Sequence, residues 1–155
     1  DVIAVDVRPE KFAACHDAGA RTSLDVSDRD LTAALLDSTG GQGADVIIDF
    51  VANDLTLEAS AKALGKGGRL AILGGGGQSN NFPVLGNWIK NGEREILGSR
   101  YATRREVGQA LDLIASGDLW PIVTETSPLE KAEDLHKRVE DGLVTGRAAL
   151  LIGST

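Results

Sequence analysis

The chain has 155 residues, 42% hydrophobic and 25% charged, a composition that supports one soluble globular domain with a sizeable core and argues against disorder. Its formal net charge of −7, from 16 basic and 23 acidic side chains, argues against a nucleic-acid partner, which needs clustered Lys and Arg, and favours a small-molecule one. The single cysteine, Cys15, excludes an internal disulfide and a multi-cysteine metal site within the chain. No apolar run reaches the roughly 20 residues of a membrane span, so the expected setting is the cytoplasm.

Nineteen glycines against three Phe, two Trp and one Tyr predict many tight turns around an aliphatic core, as in α/β proteins. In chain order, Val2, Ile3, Ala4 and Val5 form a short β-branched strand ending at Asp6, and Pro9 with Glu10 opens a helix. Phe12, Cys15 and His16 share one face of that helix, which stops at Gly19. Leu31 and Leu35 mark a second helix, ending in the glycine-rich run 39–43. Residues 46–51 are a nearly continuous apolar run, the pattern of a strand covered on both faces and hence of a parallel sheet. Leu57, Ala61 and Leu64 share a face of the next helix, which is expected to end in the run 65–68 before a buried strand over 69–73.

Four glycines, Gly74 to Gly77, follow that strand, and 78–91 reads as a looser stretch. A strand at 95–98 is followed by a helix carrying Val107, Ala110, Leu111 and Ile114 at i, i+3, i+4 and i+7. Ile122 and Val123 are extended, a helix from Pro128 buries Ala132, Leu135, His136 and Val139, and 148–152 makes a final strand. Strands alternating with helices predict an α/β fold, a doubly wound parallel sheet with right-handed crossovers, in one domain.

Asp6 ends the first strand, where open α/β sheets place ligand contacts. A carboxylate there either accepts from both hydroxyls of an adenosine ribose and repels a 2′-phosphate, or caps the following helix. The run Gly74 to Gly77 lets a ligand approach the backbone closely or is a plain loop. The sequence contains no G-x-G-x-x-G, the fingerprint that seats a pyrophosphate on a helix N-terminus. In that arrangement the glycine loop precedes the ribose-binding acid by about 20 residues, so with 2–5 as the second strand of the unit, the first strand and its loop are expected upstream of Asp1. The first strand is central in the order 3-2-1-4-5-6, so the edges of the strands at 2–5 and 46–51 are expected to face its position.

The succession of Val2 to Asp6, Lys11-Phe12, Ala18-Gly19-Ala20, Thr39 to Val46, Ile48-Asp49-Phe50-Val51, Gly67-Gly68-Arg69, Gly98-Ser99 and Gly146-Arg147 resembles, over essentially the whole chain, the cofactor-binding lobe and carboxyl end of medium-chain, zinc-type alcohol dehydrogenases. The resemblance implies a partial, Rossmann-like dinucleotide-binding domain over 1–155 of a larger two-lobe enzyme, without the catalytic lobe. It implies NAD as cofactor, with Asp6 and Lys11 on the adenosine ribose and Val7 and Ala52 on either side of adenine. Val51, Leu73, Gly74 and Gly75 would line the nicotinamide, the backbone at Ser99 and Tyr101 would hold the carboxamide, and Arg147 would meet the pyrophosphate. Zinc would be bound by the other lobe, the substrate would be an alcohol or carbonyl compound, and the fragment alone would be inactive. The resemblance further implies a homodimer or tetramer through the edge strand near Ile96 and Leu97.

The sequence departs from the family pattern at Ala52-Asn53 and at Ala102, where glycines are expected, which bears on loop shape. Asp6 weighs against the zinc-free NADPH quinone and enoyl reductases of the same architecture; a non-catalytic dinucleotide-binding module is the alternative from another class. Asp49, in an apolar strand, is read as satisfying loop amides rather than as a catalytic acid. His16, His136 and Cys15 are read as structural, and Glu130, Glu133, Asp134, Glu140 and Asp141 as a solvated helix face.

Overall fold

A computed structural model of the chain describes residues 1–75, 82 and 86–153. They form two compact units, Asp1–Tyr101 and Ala102–Thr155.

In the first unit, β1 (Ile3–Asp6) runs into a 3-10 turn (Pro9–Lys11) and helix α1 (Phe12–Asp17). Proline suits the start of the turn because its fixed φ is already helical and it has no N–H to satisfy. The helix stops at Gly19, whose φ of +101° is open to a residue without Cβ. A polar strand that the sequence pattern did not reveal, β2 (Thr22–Asp25), pairs in parallel with β1 from Ile3↔Thr22 to Asp6↔Asp25. His16 ties α1 to it: Nδ1 donates to the Ala20 carbonyl at 2.8 Å, and Nε2 hydrogen-bonds with the Ser23 hydroxyl at 3.1 Å.

Helix α2 (Leu31–Ser38) is capped by Asp30, whose carboxylate accepts from the Ala33 N–H at 2.6 Å. Next come β3 (Ala44–Asp49), α3 (Asp54–Ala63) and β4 (Leu64–Ile72). Asn53 and Thr56 form a reciprocal capping box at the start of α3, each side chain accepting the other's backbone N–H. The helix buries Leu57, Ala59, Ser60 and Ala63, and with Leu64 and Leu70, the largest fully buried side chains, these make the core of the unit. Burying one such leucine contributes on the order of 2 kcal/mol.

Leu64 was expected on the helix face; the helix instead ends at Ala63, and Leu64 opens β4 opposite Ala44. The expected turn 65–68 is an irregularity inside that strand, since pairing resumes at Val46↔Arg69. The chain crosses itself here at backbone contact. A Cβ on Gly43 would lie 2.7 Å from both the Ala63 carbonyl oxygen and the Gly65 nitrogen, so only glycine fits.

Helix α4 (Gly86–Gly92) occupies part of the stretch expected to be loose, and β5 (Glu95–Gly98) pairs in parallel with β4. Arg94 fastens α4 to the start of β4: its guanidinium donates to the Leu64 and Trp88 carbonyls, each at 3.0 Å, and stacks 4.3 Å from the Trp88 ring centre.

The second unit holds α5 (Arg104–Ser116), β6 (Val123–Pro128), a 3-10 turn (Leu129–Lys131), α6 (Ala132–Glu140) and β7 (Arg147–Leu151). Thr103 and Glu106 form a second capping box, and Gly117, at φ +80°, ends α5. Helix α6 packs on the parallel pair β6–β7 and buries Leu135, while Val107, Leu111 and Ile114 on α5 stay exposed.

The α/β architecture with parallel pairing is as the pattern predicts. Hydrogen bonding divides it into three sheets, β1-β2, β3-β4-β5 and β6-β7, so among the described residues β1 and β3 each have one free edge. Val46 and Ile48 on β3 are more than half exposed. No helix among the described residues is long and apolar enough to cross a membrane.

Glu125 on β6 receives two hydrogen bonds from Arg138 on α6, Nε and Nη2 each at 2.9 Å. The guanidinium holds the Glu125 carboxyl below its ordinary value. A depressed carboxyl stabilises the fold above its unfolded value, and that contribution is lost as pH falls through the lowered one. Glu125→Gln should therefore lower the melting temperature at neutral pH, with the gap to the unmutated protein closing below about pH 4. Melting curves from pH 7 to 3 test this; a gap independent of pH would show that the pair contributes no linked stability.

Candidate functional site

All the expected cofactor contacts except Arg147 fall in the first unit, Asp6 at the end of β1, Lys11 in the 3-10 turn and the others in loops following β1, β3, β4 and β5. The cause is topological. Parallel strands all present their carboxyl ends on one side of the sheet, and the loops leaving those ends are the free connections on which a ligand site can be built.

The Asp6 carboxylate holds the turn after β1 through one oxygen, which accepts from the Arg8 N–H at 3.0 Å. The other oxygen lies 3.5 Å from the Lys11 ammonium, and both side chains are about one-third exposed, 33% and 34%. The acid therefore shapes its own loop with one oxygen and leaves the other partly exposed beside Lys11; it does not cap the following turn, whose N-cap residue is Arg8 and which has no side-chain cap. Val7 beside it is exposed.

After β3, the Asp49 carboxylate turns back on its own loop. Its Oδ1 accepts from the Val51 N–H at 2.9 Å and the Ala52 N–H at 2.8 Å, as read from the sequence. Ala52 stands where the family pattern has glycine, and the backbone shows why glycine suits: φ is +50°, in the left-handed region. Ala52 is 1% exposed, so its methyl is covered and of the two residues assigned to adenine only Val7 offers surface. Val51 and Phe50 are exposed.

Past the end of β4, the N–H groups of Leu73 and Gly74 both donate to the Asp49 carbonyl, at 2.9 and 3.0 Å. A Cβ on Gly74 would overlap the Phe50 carbonyl, so the first glycine of the run serves backbone contact between two strand ends. Gly75 has φ +108°; Gly76 and Gly77 lie outside the described residues. After β5, the Ser99 N–H donates to the Ile72 carbonyl at 2.9 Å, so the backbone group it can offer a ligand is its carbonyl. Tyr101 is left-handed, φ +57°, and 88% exposed.

Arg147 opens β7 in the second unit, its backbone N–H donating to the Ile122 carbonyl at 2.7 Å. It lines an open cleft of about 500 Å³ together with His136, Glu140 and Leu150. Among the described residues no three His, Cys, Asp or Glu side chains come together as a metal site.

Parallel α/β pairing with an acid at the end of β1 and a glycine in backbone contact past the end of β4 is the arrangement of a Rossmann-like domain. Residues 1–116 match the family model described as zinc-binding dehydrogenase, and the chain belongs to that family. It is 31% identical over 150 residues to an alcohol dehydrogenase of Geobacillus stearothermophilus, covering 97% of this chain and 43% of that protein. It is 29% identical over 152 residues to an NAD-dependent alcohol dehydrogenase of Sulfurisphaera tokodaii, again covering 97% and 43%. Among solved structures, an NAD-dependent alcohol dehydrogenase superposes with TM-score 0.84 at 30% identity, over 98% of this chain and 44% of that one. The alcohol dehydrogenase of the hyperthermophilic archaeon Aeropyrum pernix gives 0.83 at 30% identity, over 95% and 41%. The chain thus spans less than half the length of these relatives.

Two glycines separate contact from open space. Gly74→Ala drives a methyl into backbone and should cost about 1–3 kcal/mol, whereas Gly98→Ala, with nothing within 4 Å of the added Cβ, should stay within about 0.5 kcal/mol. Urea denaturation midpoints compare them; equal midpoints would mean that the ends of β3 and β4 are not in contact.

Proposed function

We propose that the chain is the NAD-binding lobe of a zinc-type medium-chain alcohol dehydrogenase, and that the polypeptide containing it transfers hydride between NAD(H) and an alcohol or carbonyl substrate. The observation that carries this reading is Asp6: a partly exposed carboxylate at a parallel strand end, flanked by Lys11, in a chain of the zinc-binding dehydrogenase family.

The donor set fits the dinucleotide. Asp6 accepts from the vicinal ribose hydroxyls and repels a 2′-phosphate, and Lys11 adds a donor to the same ribose. Val7 and the Ala52 loop flank the adenine. Val51, Leu73, Gly74 and Gly75 line the nicotinamide side and exclude water from it, and the Ser99 and Tyr101 backbone orients the carboxamide. Bound NAD supplies a hydride acceptor at the nicotinamide C4, and this chain binds and orients it. Zinc bound by the other lobe would polarise the substrate oxygen, so the catalytic residues are assigned to that lobe and the chain alone is expected to be inactive. The free edges of β1 and β3 suit one further parallel strand between them, with the glycine loop at its end. β5 is an edge strand with Leu97 exposed, which supports pairing with β5 of a second copy.

The full-length enzyme should prefer NAD over NADP by about tenfold or more in kcat/KM, roughly 1.4 kcal/mol. Asp6→Ser should erase the preference. An NADP preference in the unmutated enzyme would instead favour the zinc-free reductases.

Proline at Ile96 removes a donor from the edge and should release monomers in analytical ultracentrifugation. An unchanged oligomer would place the contact elsewhere.

A further inference from the structure

Asp49 is 6% exposed, and the dinucleotide reading gives it no contact with the cofactor. Yet it holds two of the loops assigned to NAD. Its Oδ1 takes the Val51 and Ala52 N–H groups, and its carbonyl takes the Leu73 and Gly74 N–H groups, all at 2.8 to 3.0 Å. One residue thus sets the spacing between the loop after β3 and the loop after β4. The first of these loops is strained, with Ala52 left-handed at φ +50°, and such a turn persists only where its surroundings over-determine it.

The remaining oxygen, Oδ2, is buried without a hydrogen-bond partner. A buried, unpartnered carboxylate oxygen weakens a fold, and an apolar residue of similar size would avoid that penalty. Packing alone therefore does not account for an aspartate here; the two amides held by Oδ1 do.

We infer that Asp49 is a positioning residue for the dinucleotide: its carboxylate locks the Val51–Ala52 turn in register with Leu73 and Gly74, so that the nicotinamide side of the site is preformed rather than assembled on binding. The inference rests on the NAD reading of that site. A preformed loop spares the ligand the ordering cost that a loose one would impose. Asparagine keeps an acceptor at the Oδ1 position and replaces only the orphaned oxygen, so it preserves the lock; alanine removes it.

The test is fluorescence titration of the full-length protein with NADH, fitting dissociation constant and stoichiometry separately, with melting temperature as a parallel readout. Asp49→Ala should raise the dissociation constant about tenfold or more at unchanged stoichiometry, and Asp49→Asn should stay within about threefold of the unmutated protein, with an equal or higher melting temperature. A merely structural role would instead lower the fraction of binding-competent protein and leave the constant alone, and that outcome overturns the proposal. So does an alanine variant that binds within threefold. If the alanine variant does not fold, the asparagine variant decides: retained affinity supports the lock, and a tenfold loss in a folded Asp49→Asn overturns it. Failure of the underlying reading looks different, because the unmutated protein would then give no fluorescence response to NADH.

Discussion

The first unit depends on how closely β3 and β4 approach one another. Parallel strands joined by a helix must close a long loop, and here the closure is made at backbone distance: Gly43 against Ala63 and Gly65 at the start of the strands, Gly74 against Phe50 just past their end. Between these two points α3 lies on the pair and buries its aliphatic face, so packing of Leu57, Leu64 and Leu70 reinforces a geometry that glycine permits. β5 then adds to β4, and Arg94 fixes the preceding helix to the carbonyl of Leu64, the residue at which β4 begins.

Polar groups at the strand ends are fixed points: Asp6, at the end of β1, bridges its own turn and Lys11, and Asp49, at the end of β3, gathers amides from the loops after the paired strands β3 and β4. Charge is used sparingly. Asp6 keeps one carboxylate oxygen beside a cation on a partly exposed side chain, which suits hydroxyl donors, while Asp49 is withdrawn from solvent and gives one carboxylate oxygen and its carbonyl to backbone.

What could be read from the sequence follows from the kind of signal each element carries. The continuous apolar run at 46–51 and the amphipathic face of α5 both gave legible signals, although β3 itself spans Ala44–Asp49, so the run was displaced toward the loop that Asp49 closes. β2 was not, because Thr22, Ser23 and Asp25 are polar and its one buried side chain, Leu24, gives no alternation to read. Leu64 fits a helix face by spacing, and only the left-handed and overlapping geometry around Gly43, Gly65 and Gly67 moves it into a strand, a constraint no hydrophobic pattern expresses. Among the strand-end acids, the place of Asp6 at the end of β1 was legible, and so was the role of Asp49 toward its loop amides. Its carbonyl's hold on Leu73 and Gly74 was not, because a carbonyl is common to every residue type and leaves no mark in a sequence.

The glycine contacts also constrain how such a sequence can drift. Where a side chain obstructs a new side chain, a second substitution can restore the fit, and the two positions can wander together over generations. At Gly43 and Gly74 the obstacle is main chain, identical whatever residue supplies it, so no partner change can relieve the overlap. These positions are closed to compensated exchange, and among the glycines substitution is open instead at those that face open space, such as Gly98 and Gly108.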